Sequence, residues 1–396
     1  MIKSIPPILC TGLPTWEGEY QKSTVQLMRA ISMHHPVVYV EYPFTYKDVF
    51  QGYRDGKKPY KRIMGIEPRL RNLSMEGGKD LHVLTLPPIL PVNGLSEGAG
   101  YDFLASLNAS RSAATIRQTL ASLGYTKPLL INAFNPFLGP FLNGKMEVWA
   151  EYYYCYDQIG AARWTSKHGP RLEQKYLDMV DGLITSSQAL LDEKLREGRS
   201  GIVIKNGVNL SLFKQAYVQN PSKKNPTVLG YLGSIDNRLD INMLFHVLDG
   251  WENAVLLMVG RIMDPQLHKR LASHPRIELA GPQQPEQLPA WVRRMDVGLI
   301  PFVHNEFTRF IYPLKINEYL AAGLPVVSTR FGDLSDFTRI VDTGDTPEEF
   351  LAASQKARAE DTSERRIARS SFASRQDWNA RALQLLDWLS EHAGQV

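Results

Sequence analysis

The sequence predicts an α/β protein built from two Rossmann-like domains, and three observations carry that expectation. At 396 residues the chain exceeds what one hydrophobic core organises and suits two domains of roughly 150–200 residues each. Short apolar runs alternate with amphipathic segments, the pattern of βαβ units and hence of parallel sheets. A polar stretch at residues 215–227, with Pro221 and Pro226, divides one such series from a second.

In the first series residues 7–11 read as a strand, 12–20 as a loop rich in Gly, Pro and Trp, 21–34 as an amphipathic helix and 37–40 as the next strand. Residues 45–78 are polar, basic and weakly periodic, and read as a long excursion from the sheet. The pattern resumes with a strand at 81–86, a helix over about 106–123, and strands at 129–131 and 152–156. Residues 169–180 read as a helix and 182–185 as a short buried strand. Ser186 and Ser187 follow as caps of a helix running to about Leu195. A strand at 202–204 closes the half at Asn206-Gly207.

The second series places strands at 228–231, 254–259, 277–279, 297–300 and 325–328, with helices near 241–248, near 287–294 and from Pro313. Residues 377–392 form an amphipathic helix carrying Trp378, Leu385 and Trp388. The expected division is a first domain over 1–214, a linker over 215–227, a second domain over 228–375 and a closing helix within 376–396. Open sheets of this kind bind ligands beyond the carboxyl ends of their strands.

Composition narrows the function. A net charge of +4 is too small for this length to suggest a nucleic-acid binder, while leaving room for a weakly basic face near anionic lipid or substrate. The short basic clusters, Lys57-Lys58 with Lys61-Arg62 and Lys223-Lys224, read as solvated loops. Cys10 and Cys155 lie in no C-x-x-C pair, which argues against a disulfide framework or a cysteine zinc site; both read as buried neutral thiols. His34, His35 and His168 lack partners at catalytic spacing and read as structural. With no run of about 18 apolar residues and no cleavage signal, the expected location is the cytoplasm, contact with the inner face of the plasma membrane being left open.

The segment 311–329, IYPLKINEYLAAGLPVVST, carries the chemistry. Pro313 suits the first helical position, where its missing N–H leaves nothing unsatisfied. Gly323 suits a left-handed stop, and Pro325 bars continuation. The amino end of such a helix offers unpaired N–H groups and partial positive charge, which fits a diphosphate. Lys315 and Glu318, three apart, share a face. The lysine can assist phosphates, and an ionised carboxylate can accept from both hydroxyls of a ribose. Read on spacing alone, the same two residues also make an ordinary surface helix pair.

Residues 313–329 resemble the C-terminal signature of GT-B-fold retaining glycosyltransferases, the large group called family four or group 1. Gly230-Tyr231-Leu232-Gly233-Ser234 resembles the first donor-domain strand and glycine turn of that group, Val259-Gly260-Arg261 a strand end facing the nucleotide, and residues 296–302 the strand before the signature. In the first half, residues 181–187 and Asn206-Gly207-Val208-Asn209 are similar to its landmarks, and Trp378 with Arg381 to its closing helix. Asn305-Glu306-Phe307-Thr308-Arg309 is similar to the loop of relatives in bacterial exopolysaccharide and teichuronic-type synthesis. The chain departs from the pattern at Phe310, where many relatives carry a second glutamate, and at Asn209, which replaces an aspartate.

The resemblance implies two facing domains with a cleft between them and a last helix crossing back. It also implies transfer of a sugar, with retention, from a nucleoside diphosphate sugar to a hydroxyl of a glycan or lipid-linked acceptor in cell-surface polysaccharide synthesis. Arg261 and Lys315 would meet the charge of the leaving diphosphate. Gly233, Ser234, Arg238, Arg309, Pro313, Leu314 and Glu318 would bind the donor. On the acceptor side stand Gly12, which permits close backbone approach, Asn135 at a strand end, and Asp157 as a catalytic carboxylate. Trp16 and Glu17 are placed to touch a sugar ring, an aromatic in a loop being as often a packing plug. No D-x-D pair is placed to hold a metal, so neither metal nor further cofactor is expected, and nucleic acid is not an expected partner. The other readings are a nucleotide-sugar epimerase of the same fold, a two-lobed sugar-binding protein of the transport type, and a catalytically silent protein that binds sugar nucleotides.

Overall fold

The computed structural model describes residues 5–17, 22–55, 59–161, 165–221 and 225–392. The basic pairs Lys57-Lys58 and Lys223-Lys224, the start of the chain and residues 18–21 of the first predicted loop and helix lie outside the described residues. The chain packs as two compact units. Residues 22–204 and the chain from Ala382 onward form the first with the described amino-terminal segment, and residues 205–381 form the second.

The first unit is an eight-stranded sheet of β1 (Ile8–Gly12), β2 (Val37–Val40), β3 (Leu70–Asn72), β4 (Leu81–Leu84), β5 (Leu129–Ala133), β6 (Ala150–Cys155), β7 (Gly182–Thr185) and β8 (Ser200–Val203). The strand order is β3-β4-β2-β1-β5-β6-β7-β8, parallel throughout except for the antiparallel edge pair β3–β4. Every residue of β1, β2, β4, β5, β6 and β7 is buried. That accounts for their near-continuous apolar runs, because a parallel sheet covered on both faces has no solvent side to alternate toward.

The excursion at 45–78 is more ordered than its composition suggests. It folds into helices Tyr46–Asp55 and Tyr60–Met64 followed by β3. The first helix starts where the Asp48 carboxylate accepts from both the N–H and the hydroxyl of Thr45, a local cap that needs no long apolar stripe. The helix expected from about residue 106 begins at Ala99, since the buried stripe extends back through Ala105 to Tyr101. Ser187 caps the helix Gln188–Lys194 through the amide of Leu190, as expected.

The second unit is a six-stranded parallel sheet of β9 (Thr227–Leu232), β10 (Ala254–Val259), β11 (Ile277–Gly281), β12 (Val297–Ile300), β13 (Val326–Ser328) and β14 (Asp342–Thr343), in the order β11-β10-β9-β12-β13-β14. Residues 205–217, which the sequence reading divides between the first domain and the linker, pack within this unit. The Val208 N–H donates to the Gln376 carbonyl at 2.8 Å, and Lys205 pairs with Asp336 at 2.8 Å. The last helix, Trp378–His392, opens beside Gly207, and from Ala382 on it packs in the first unit, with Trp388 against Tyr152. Three helices of the second unit, Pro265–Ala272, Pro347–Ala359 and Ser363–Ser374, go beyond the predicted elements. The second has a full Thr346–Glu349 capping box, a signal present in the sequence. Among the described residues no helix is long and apolar enough to cross a membrane.

A buried ion cluster supports the end of the helix Leu314–Ala321. The Asp361 carboxylate, its side chain fully buried, accepts from Arg366 at 2.6 and 2.8 Å and from Arg369 at 2.6 Å. Arg369 also donates to the Gly323 carbonyl and Ser370 to that of Ala321, carbonyls that the helix itself leaves unpaired. Asp361→Ala would leave two guanidinium groups buried without their shared anion. We expect about 3–5 kcal/mol of lost stability, read as a lower midpoint in chemical denaturation; a loss below about 1 kcal/mol would show that the cluster is not a structural support.

Candidate functional site

A cavity of about 280 Å³ lies in the second unit beyond the carboxyl ends of β9, β10, β11 and β12. This is where open parallel sheets place their ligands. Its backbone wall is made by Gly233 and Ser234 after β9 and by Gly260 after β10. The two turns touch: the Gly233 N–H donates to the Val259 carbonyl and the Gly260 N–H to that of Gly281, each at 2.9 Å. A Cβ on Gly260 would overlap the Gly233 carbonyl oxygen, and Gly260 has φ +154°, a value that L side chains rarely adopt. Bare backbone therefore lines this side. Pro282, Gln283, Pro285 and Leu288 form a further wall, and Phe302 follows β12.

The helix Leu314–Ala321 contributes Leu314, Lys315 and Glu318 to the lining, the Lys315 side chain passing close to Gly233. Pro313 is its N-cap rather than its first helical residue, with ψ 89° and its carbonyl accepting from the Ile316 N–H. The expected stop holds: Gly323 has φ +75°. Tyr319 fixes the helix to the sheet, its ring packed over Gly298 and its hydroxyl accepting from the Leu232 N–H at 2.6 Å. The next residue of the chain after that strand end is Gly233.

Glu318 is only 1% exposed, and the Lys315 ammonium donates to its Oε2 at 2.9 Å. Burial holds the Glu318 carboxyl above the usual range, and the neighbouring Lys315 charge works against that rise. The pair is thus a desolvated acid kept beside one cation at the cavity wall. Such a carboxylate has a second oxygen for a ligand hydroxyl, and an ammonium has three donors, one of which Glu318 takes.

Of the residues read from the sequence on the donor side, Gly233, Ser234, Arg238, Leu314, Lys315 and Glu318 come together at this cavity. Arg238 reaches it with its guanidinium gripped by Asp236 through Nε at 2.8 Å and Nη2 at 2.6 Å, so the acid two residues away offsets the charge. Arg261 adjoins Gly260 outside the lining, with its carbonyl accepting from the Ile235 N–H. Arg309 is also outside it, 3.2 Å from Glu306 and over the ring of buried Phe310. The wall at 282–288 is the part the sequence reading misses; a Gly-Pro-Gln-Gln-Pro run marks the turn without marking its role.

In the first unit Gly12, Asn135 and Asp157 stand at the carboxyl ends of the adjacent strands β1, β5 and β6. Gly12 lies under Tyr39, whose hydroxyl donates to the Pro14 carbonyl. Asn135 is fully buried, and its Oδ1 accepts from the Leu138 N–H while its Nδ2 has no protein partner. The Asp157 carboxylate accepts from the Gln158 N–H. Trp16 is a plug: it is buried edge-on against Tyr39, with its backbone N–H donating to the Glu41 carboxylate at 2.8 Å. Glu17 is exposed and tied to Arg71 of β3.

Over 240 residues, 56% of the chain, the sequence is 29% identical to a putative teichuronic acid biosynthesis glycosyltransferase, TuaH, of Bacillus subtilis (strain 168), and the match spans 60% of that protein's length. The structure of sucrose-phosphate synthase from Thermosynechococcus elongatus superposes with a TM-score of 0.67 at 16% identity, covering 98% of each chain. That of Anabaena Alr3699/HepE in complex with UDP and glucose gives 0.61 at 15% identity, covering 97% of this chain and 99% of that one. A glycosyltransferase from Rickettsia africae gives 0.67 at 13% identity over 99% and 100%. At these identities the likeness is one of fold, two Rossmann-like sheets of the GT-B class. The second unit carries, from residue 226 to residue 361, a match to the family described as "Glycosyl transferases group 1".

Proposed function

We propose that this protein is a glycosyltransferase that moves a sugar from a nucleoside diphosphate sugar to an acceptor hydroxyl, with the donor in the cavity of the second unit. The observation that carries the reading is the buried Glu318–Lys315 pair at the wall of a cavity that Gly233 and Gly260 also line. Glu318 accepts hydrogen bonds from the two ribose hydroxyls. Lys315 and the first-turn N–H groups of the helix Leu314–Ala321 face the diphosphate. The backbone at Gly233 and Gly260 lets the phosphates approach without meeting a side chain.

In the reaction the acceptor oxygen bonds to the anomeric carbon as the bond from that carbon to the diphosphate breaks, and the acceptor's hydroxyl proton passes to the departing diphosphate oxygen. Negative charge then grows on the leaving group, and fixed donors aimed at it lower the barrier. Lys315 is the principal cation for this role, with Arg261 and Arg309 further out and Arg238 moderated by Asp236. Uridine is the first base to test, since a protein of the same fold, Anabaena HepE, holds UDP. The likeness to TuaH supports a glycan or lipid-linked acceptor in cell-surface polysaccharide synthesis. Asn135 and Asp157 are the acceptor-side groups, and the anomeric configuration is retained. The work is cytoplasmic, at the membrane surface, and calls on no metal.

Four results test this. A thermal-shift screen should single out one nucleoside diphosphate family, with about 2.7 kcal/mol of stabilisation at a hundredfold excess over Kd. Glu318→Ala should weaken that ligand by at least about a hundredfold, roughly 3 kcal/mol; an undiminished shift would sink the ribose role. Acidification should act on Glu318 in two opposite senses. Its raised folded pKa means that the empty protein gains stability at this residue as pH falls toward the ordinary carboxylate range. Ligand affinity falls over the same interval, because protonation removes the acceptor. The difference in Tm between wild type and Glu318→Gln across pH reads the first, and calorimetry reads the second. Transfer should proceed undiminished in excess EDTA, and a loss restored by added divalent cation would refute the metal-free reading.

A further inference from the structure

Among the described residues the lining of the donor cavity carries three charged side chains, Arg238, Lys315 and Glu318. Lys315 is matched by Glu318 within the lining itself. Arg238 is therefore the cation that would leave the wall positive, and Asp236, outside the lining, offsets it. The fold makes this pairing a fixed one. The Asp236 Oδ1 accepts from both the backbone N–H and the Nε of Arg238, at 3.1 and 2.8 Å, and Oδ2 accepts from Nη2 at 2.6 Å. The Arg238 carbonyl accepts from the Val303 N–H at 2.8 Å, and its guanidinium lies 5.8 Å from the centre of the Phe302 ring. Backbone bridges from Ile235 to Ile262 and from Leu239 to Phe302 tie both flanks of the turn to neighbouring segments.

Without that acid Arg238 would hold phosphates more tightly. Charge explains what the weaker hold achieves. In a sugar nucleotide the outer phosphate is esterified to the sugar. Once freed it has a further ionisable oxygen, and with a second pKa of about 6 it loses that proton at neutral pH. The spent diphosphate is thus about one charge more negative than the donor it came from. Each uncompensated cation on the wall therefore favours the product over the donor, and a cavity that retains its product turns over slowly. The two side chains are 27% and 32% exposed, so water screens the pair in part and a phosphate can still draw on the same guanidinium.

We infer that Asp236 is a specificity-determining residue: by neutralising Arg238 it weakens the cavity's hold on the spent nucleoside diphosphate relative to the intact sugar nucleotide. The inference rests on the donor reading above and adds to it which of the two ligands the wall favours. Calorimetric titration with UDP and UDP-glucose, and with the pairs GDP and GDP-mannose and ADP and ADP-glucose, tests it. Asp236→Asn removes the charge but keeps an oxygen for the Arg238 N–H; Asp236→Ser does the same and serves if the first variant fails to fold. Either should tighten the diphosphate relative to its sugar conjugate by on the order of tenfold at low salt, and less as salt rises. Adding Arg238→Gln to the same chain should abolish that gain, because the cation that the first substitution releases is then gone. An unchanged ratio in variants with a native thermal melt overturns the inference, and nucleotide binding by those variants leaves the donor reading standing. Weaker diphosphate binding by both variants also overturns it, since Asp236 would then orient Arg238 for the phosphates. No binding of any nucleotide, by wild type and variants alike, overturns the donor reading and this inference together.

Discussion

A carboxylate withdrawn from water stays charged only beside a cation, and the second unit is organised around that constraint at Glu318. Its burial would favour the neutral acid, and Lys315 at 2.9 Å opposes this. The pair lies on a single short helix, so its geometry depends on how that helix is held at both ends. Pro313 caps the entry, and the carbonyls at the exit are taken up by Arg369 and Ser370, themselves fixed by Asp361 and by helix packing. The chemistry at the cavity wall thus reaches back through a chain of buried polar contacts to residues that never approach a ligand.

Much of the architecture was legible because parallel sheets buried on both faces write themselves as uninterrupted apolar runs. The strands at 37–40, 182–185, 254–259 and 297–300 are read to the residue for that reason. The excursion after Thr45 was not, since its helices are short and bury little, so a periodicity search finds a weak signal where a capping aspartate sets the start. Edge strands β3 and β14 are three and two residues long, too short for any pattern to mark them.

The cavity shows the same division. Lys315, Glu318 and the glycine turns were readable because helix spacing and backbone freedom are local properties. The arginines were less so. Whether Arg238 or Arg309 presents its charge depends on Asp236 and Glu306, and only folded distances tell which acid wins. Trp16 is a plug because Glu41, remote in sequence, holds its amide. The wall at 282–288 belongs to the cavity only by tertiary approach, which nothing within those residues encodes.

Tyr319 gives the arrangement a property of another kind. Its ring fills the space over Gly298, and its hydroxyl holds the final amide of β9. The width of one aromatic ring, and not the loops around it, therefore fixes how far the helix stands off the sheet. It acts as a gauge block between two surfaces. Substitutions in the surrounding loops can change what the cavity admits while this standoff stays constant, so variation in specificity and constancy of spacing are assigned to different parts of the chain.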